Sequence, residues 1–485
     1  MLGMLKEEEF FDFMRRSEGD DPRRRKIAFQ PHEQPWHDRL AQYIARMAAT
    51  AAERSELERR AQSGLKDDDK ARLAELSRMK EVLSAGLQRY YREVAAAFAS
   101  AKGKGRNEAA DAQAQLKATQ QTLSKLGAGS VLVQYILSEN RLNVIFTTAT
   151  TQAAHQVEIK ASEVRRKIEF FRTALGNPDI SAEPMAQELY KLLIAPLDGE
   201  LRTSGARTLM FSLDGALRYI PMAALHDGSL YLVQRYDLSI YTDVTRDNLG
   251  YRQSGALSIV GMGVTREIGD FASLPAVRTE LSAIVRNGDK GLIEGELHFD
   301  DQFTLASLKQ ALQNHRPLLH LASHFVFHPG NESTSFLLLG DGDRLSLSRI
   351  REEKLDFSHV DLVTLSACET GVGGGRTTEG EEVEGLGALV QKQGAKSVIA
   401  TLWPVEDAST GLLMQNFYRL REAQKLTKAD ALRQAQLMLI SEQSPQDAGI
   451  VGAGQEVAIP ATRKHAGRYA HPYFWAPFIL MGNWL

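Results

Sequence analysis

From residue 256 onward, short apolar runs alternate with stretches of helical periodicity, and this alternation limits the fold more than any other feature of the chain. The runs are ALSIVGMG, LLHLASHF, VDLVTLSAC and SVIATLW, with helices expected near 276–286, 304–313, 382–392, 406–421 and 427–441. FLLLGDGDRLSL reads as a hairpin, and the closing HPYFWAPFILMGNWL is apolar enough for a last buried strand. Strands covered on both faces read as continuous apolar runs, and joining them through helices makes them parallel. The predicted class is therefore α/β, a mostly parallel sheet flanked by helices. Gly261 and Gly263 in GMG resemble part of a dinucleotide loop but lack its third glycine; a tight strand-to-helix turn is the expected reading.

Upstream the character differs. Residues 1–36 are polar, carry a basic cluster at Arg23–Lys26 and read as a mobile arm or a partner-binding segment. Residues 37–126 form a helical, coiled-coil-like module. Its first helix carries Leu40, Tyr43, Ile44 and Met47, and its second Leu73, Leu76, Met79, Val82, Leu83, Leu87, Tyr90, Tyr91 and Val94. GKGRN then breaks the pattern before a more polar third helix with Leu116, Leu123 and Leu126. The stripe is expected to be internal core, with docking of a partner as the alternative. Residues 128–255 open on a hairpin in VLVQYILSENRLNVIFTTA. A helix follows at 183–193, then short strands with Asp214-Gly215 and Asp227-Gly228 at their turns. The last segment, 256–485, is the alternating region, interrupted at 442–470 by a stretch expected to be a mobile loop.

Composition removes several function classes. The net charge of −3 offers no global basic field for nucleic acid. No run reaches the roughly 18 apolar residues of a membrane span, and the charged N-terminus lacks the apolar centre of a secretory signal. The cytoplasm is the expected compartment.

The chain has a single cysteine, Cys368, which rules out an internal disulfide and Cys-rich zinc sites. A lone cysteine is commonly buried and inert, but its surroundings here are specific. It stands where VDLVTLSAC stops, and open α/β sheets gather their reactive groups at the carboxyl ends of strands. His324 stands at the equivalent place in LLHLASHF, and neighbouring parallel strands lie about 4.8 Å apart. An imidazole beside a thiol favours the thiolate and can pass a proton to a leaving amine. His320, His324 and His328 would share one face of a helix, a geometry suited to zinc, but the β-branched and aromatic residues and Pro329 favour a strand. On a strand His320 is expected to be a hydrogen-bonded core residue and His328 a loop residue.

HLASHF, LVTLSACETG, GLGALVQKQGAKSVIATLWPVEDAST and HPYFWAPFILMGNW, in this order, resemble the motif series of CHAT domains, caspase-like and separase-related cysteine peptidases. YKLLIAPL and SLDGALRYIPMAALHDGSLYLV resemble the N-terminal half of such domains, so the resemblance covers roughly 128–485, with 128–255 as a pseudo-subunit and 256–485 as the catalytic half. It implies a caspase-like sheet and a Cys368–His324 dyad for peptide-bond hydrolysis, with no cofactor and no metal. It also implies an oxyanion hole using the backbone N–H groups of Cys368 and residue 325. Members commonly carry glycine after the histidine, and Phe325 departs from that pattern, with a narrower cleft expected.

Asp407, in LWPVEDAST, matches the position that lines a pocket for a basic P1 side chain in separase-like relatives. As the opening residue of a helix it is equally suited to stabilising the helix dipole. The acidic run Glu379, Glu381, Glu382 and Glu384 could attract a basic substrate, and otherwise reads as a solvated loop. The expected function is cleavage of a protein partner after a basic residue; a place in prokaryotic regulation or defence is what the family resemblance alone implies. A regulatory protein is expected to act through the N-terminal helices and to order the Gly-rich 371–375 loop. Arg376 and Arg463-Lys464 are candidate self-cleavage positions. The alternative is a catalytically silent caspase-fold scaffold, which Phe325 favours.

Overall fold

The computed structural model describes residues 39, 42, 46, 50, 53, 57, 67–100, 105–242, 248–253, 255–286, 288, 291–326, 334–366, 384–403, 405, 407–441 and 467–485. The chain divides into two compact units, 1–117 and 118–485. The first contains the helix Asp67–Ser100. Leu76, Leu83 and Tyr90 are buried there at seven-residue intervals, while Met79 and Val82 of the expected stripe face solvent. Arg72 pairs with Glu53 and with Glu75, and the first of these bonds holds the Glu53 carboxyl below its usual range. A second long helix runs Gly105–Leu126, and its last turns belong to the second unit. The first helix expected in the 37–126 module falls largely outside the described residues.

The second unit is built on one twelve-stranded sheet. Its strands are β1 (Ser130–Ser138), β2 (Arg141–Thr147), β3 (Gln152–Glu158), β4 (Thr208–Ser212), β5 (Asp237–Ile240), β6 (Ser258–Gly263), β7 (Val285–Arg286), β8 (Ile293–Phe299), β9 (Leu318–Ala322), β13 (Leu362–Ser366), β14 (Ser397–Thr401) and β15 (Phe478–Gly482). The spatial order is β3-β2-β1-β4-β5-β15-β14-β13-β9-β6-β8-β7. Neighbours are parallel except at β3–β2, β2–β1 and β15–β14. The remaining strands, β10 (Phe325–Val326), β11 (Phe336–Leu338) and β12 (Arg344–Ser346), form a separate antiparallel sheet, and its β11–β12 pair is the expected hairpin.

Side chains alternate between two covered faces, as strand geometry requires. Leu318, Leu362 and Ile399 join the core that holds Leu413 and Phe417 of the helix Asp407–Gln424 and Leu432 of the helix Lys428–Ser441. Leu319, Leu321, Val363 and Leu365 point the other way, onto Leu308 of the helix Leu305–Gln313 and Leu386 and Leu389 of the helix Glu384–Lys392. Each such side chain contributes roughly 1.5–3 kcal/mol by leaving water. The sheet is mostly parallel and flanked by helices, as the alternation of runs requires.

Some local expectations change. Gly261 and Gly263 lie within β6, not in a turn. A Cβ on Gly263 would come 2.5 Å from Val277 Cγ1 and 2.9 Å from Leu281 Cδ1, so glycine lets the helix Pro275–Ile284 approach the sheet. In the segment following Asp227-Gly228, the residues Leu232–Arg235 form a short helix, and only Asp237–Ile240 is strand. Residues 1–36 and most of the 442–470 stretch lie outside the described residues.

Candidate functional site

The candidate site lies at the carboxyl ends of β9 and β13. The strands pair in register from Leu318↔Leu362 to Ala322↔Ser366. Beyond Ala322 the chain bends at Ser323 and leaves the large sheet for the small one. Ser323 is pinned from both sides: its N–H donates to Ser366 O (3.3 Å), and its hydroxyl to Leu338 O (2.6 Å). The next residue, His324, is held through its backbone, with Leu338 N–H donating to His324 O at 2.9 Å.

The His324 ring is buried, with Nε2 2.8 Å from Ala272 O. A carbonyl oxygen only accepts, so Nε2 carries the proton, and in the neutral ring Nδ1 carries the lone pair. Phe271 covers the ring at a centroid distance of 5.2 Å. Phe271 in turn meets Phe336 edge-on at 6.1 Å, and Arg344 lies 4.9 Å over Phe336. The segment just before the helix Pro275–Ile284 thus fixes both the tautomer and the orientation of His324.

Below this level the sheet face becomes polar. His320 is completely buried, with Nε2 3.0 Å from Glu280 Oε1, which is a close approach without the alignment of a hydrogen bond. Glu280, on the helix Pro275–Ile284, accepts from Ser366 Oγ at 3.4 Å through its other oxygen. Thr364, the register partner of His320, bonds the Tyr418 hydroxyl at 2.7 Å. Burial raises the Tyr418 phenol above its ordinary range. Sequence reasoning placed His320 in the core correctly, but the hydrogen bond expected of it is not formed by either ring nitrogen, and it missed Glu280 and Tyr418. The available signal was a carboxylate inside the apolar stripe Val277, Leu281 and Ile284.

The other expected positions divide as follows. Cys368 lies outside the described residues, as do His328, Glu379, Glu381, Glu382, the 371–375 loop, Arg376 and Arg463-Lys464. Phe325 opens β10 opposite Leu337. Asp407 is the first residue of its helix. The strand conformation at His320 removes the helical face that a three-histidine zinc site would need. Among the described residues, no group of three His, Cys, Asp or Glu side chains is placed to hold a metal ion.

A mostly parallel, helix-flanked sheet with an oriented histidine beyond a strand end defines an α/β protein with a candidate site at the carboxyl edge of its sheet. The CHAT domain profile matches residues 183–483, and the chain belongs to the CHAT domain family. No curated protein matches the sequence. Among solved structures, the chain is similar to separase in the Saccharomyces cerevisiae separase–securin complex, with 11% identity and a TM-score of 0.41 over 76% of this chain. It spans 31% of that separase chain. It is also similar to the Arg-specific cysteine proteinase gingipain R, with 7% identity and a TM-score of 0.36, covering 67% of this chain and 74% of that one. No helix among the described residues is long and apolar enough to cross a membrane.

Proposed function

We propose that the chain is a caspase-like cysteine endopeptidase in which Cys368 is the nucleophile and His324 its proton carrier. The observation that carries this reading is the register of β9 on β13. Every pair, from Leu318↔Leu362 to Ala322↔Ser366, is separated by 44 residues, the same interval that separates His324 from Cys368. The equal interval supports a reading in which both residues follow strand ends that are paired in register, at the edge where α/β sheets carry their chemistry.

The proton path follows from the histidine's tautomer. With Nε2–H committed to Ala272 O, the Nδ1 lone pair accepts the Cys368 proton. The thiolate then attacks the scissile carbonyl carbon. The resulting oxyanion is stabilised by the backbone N–H groups of Cys368 and Phe325. Antiparallel pairing supports the second donor: the Leu338–His324 bond makes Phe325↔Leu337 the non-hydrogen-bonded pair, so the Phe325 N–H points away from that strand. Protonated Nδ1 gives its proton to the leaving amine, and water hydrolyses the thioester to release the acid and restore the thiol.

Asp407, opening its helix beyond β14, supplies the carboxylate for a basic P1 side chain, a pairing that an arginine fork makes bidentate. The substrate is a protein, and a regulatory protein engages the N-terminal helices in the cytoplasm. The test is a mass-spectrometric comparison of protein termini generated by the wild type and by Cys368→Ala. The expected result is a set of cuts after Arg or Lys that disappears in the variant. Cuts after acidic or neutral residues would remove Asp407 from the pocket, and identical termini would remove the peptidase reading.

A catalytically silent scaffold is the second reading, favoured by the phenylalanine at 325 beside a buried His324. It requires Cys368 to react with iodoacetamide at pH 7 no faster than free cysteine does.

A further inference from the structure

Glu280 is an unusual occupant of its place. It lies in the apolar stripe of the helix Pro275–Ile284, is 3% exposed, and points at the seam between β9 and β13. Carboxylates are rarely buried so completely unless their contacts hold them there. The two oxygens face different strands: Oε1 lies 3.0 Å from His320 Nε2 on β9, and Oε2 lies 3.4 Å from Ser366 Oγ on β13. Ser366 is the last register pair's residue on its strand, two before Cys368, and His320 is four before His324. Tyr418 anchors the helix Asp407–Gln424 to the same seam through Thr364. The helix that carries Glu280 begins three residues after Ala272, whose carbonyl orients His324.

One carboxylate therefore links three parts that a strand-end dyad must keep in step: the histidine's strand, the cysteine's strand and the segment that aims the imidazole. The chain retains this arrangement although His320 Nδ1 and Nε2 and Glu280 Oε1 make no aligned hydrogen bond. An apolar trio would fill the same space without leaving polar atoms unsatisfied.

We infer that Glu280 is a positioning residue for the strand ends that carry His324 and lead to Cys368, its carboxylate bridging β9 and β13 at His320 and Ser366. Its part in peptide cleavage rests on the peptidase reading; its hold on the strand ends does not. A displacement of about an ångström between reacting groups costs on the order of a hundredfold in rate, so small losses of register are readable.

The single cysteine makes the experiment clean, because any thiol adduct with iodoacetamide is at Cys368. Glu280→Met keeps the volume and removes both oxygens, whereas Glu280→Gln keeps a polar atom toward each strand. The expected result at pH 7 is alkylation about tenfold slower in Glu280→Met and within about threefold of wild type in Glu280→Gln, with melting temperatures no lower than wild type. On a peptide cleaved by the wild type, kcat falls by a similar factor in Glu280→Met while KM stays within about twofold. A folded Glu280→Met alkylated at the wild-type rate overturns the inference. If that variant does not fold, Ser366→Ala removes one end of the bridge at little cost in volume; slower alkylation supports the inference and an unchanged rate overturns it. A wild type that makes no Cys368-dependent cut defeats the peptidase reading alone, since the ratio of alkylation rates still decides the role of Glu280.

Discussion

Lys428 is the first residue of the helix Lys428–Ser441 and is 1% exposed, with Nζ 2.6 Å from Asp361 Oδ1. Arg421 Nη2 lies 3.7 Å from the other Asp361 oxygen. Burial depresses the Lys428 pKa to about 8, overcoming the attraction of Asp361. An unfolded lysine titrates near 10.4. Between these values the unfolded chain binds the extra proton, so stability rises with pH across this window and is insensitive to this group below it. The buried phenols of Tyr135 and Tyr418, raised by desolvation, act in the opposite sense only as unfolded tyrosines ionise near pH 10. Wild-type unfolding free energy, measured by chemical denaturation, should therefore gain on the order of 1 kcal/mol relative to Lys428→Met between pH 8 and 9.5. Parallel pH profiles for the two proteins would assign no such proton to Lys428. Neither this pair nor Glu280–His320 is legible from sequence, because the partners lie 67 and 40 residues apart and only tertiary packing brings them together. The position of His324 just beyond β9 was legible because the end of an apolar run is a local feature; its Ala272 partner was not.

At the scale of elements, the close approach of the helix Pro275–Ile284 to β6 controls the site, since that helix carries Glu280 and follows Ala272. Gly263→Ala would place a Cβ within 3.0 Å of both Val277 and Leu281 and force the helix outward. The expected cost is about 1–3 kcal/mol, measured by chemical denaturation, together with slower alkylation of Cys368. An alanine variant with unchanged stability and reactivity would show that the helix can shift without carrying the site with it. The elements that sequence reasoning found are those whose burial leaves a strong pattern. β9, β13 and β14 are central and apolar, and the helix Glu183–Leu193 has the bounds expected of it. β3, with the sequence QAAHQVE, is an edge strand with no fully buried residue, and β8 carries Glu294, Glu296 and His298, so neither has an apolar run to read. The helix Ala161–Leu175 does display a stripe, Val164, Ile168, Phe171 and Leu175, and was missed despite it. The two β6 glycines were misread because a sequence shows a missing side chain but not the helix that uses the space.

At the scale of the second unit, the twelve strands of the large sheet come from two sequence regions, and the last strand joins them. β15 lies between β14, to which it is antiparallel, and β5, to which it is parallel. The β5 contact is a single register pair, Met481↔Ile240, so side chains must secure the seam. Ser239 Oγ donates to Gly482 O at 3.0 Å. Asn483 is completely buried, and its amide lies within hydrogen-bond distance of the carbonyl oxygens of Asn248, Leu249 and Tyr251, at 2.6, 3.2 and 2.9 Å. On the other side, Gln436 donates to Trp475 O and Phe478 O from the helix Lys428–Ser441. Replacing Asn483 with alanine leaves these carbonyls without their donor, at a cost of roughly 1–3 kcal/mol. The two regions share a sheet and a core, so that loss should reach both. Hydrogen exchange in Asn483→Ala should accelerate in β4 and β1 as much as in β14 and β13, within one cooperative unfolding transition. Faster exchange confined to β14 and β13 would mean that the region before residue 256 folds on its own, and that the last strand docks two structures instead of completing one.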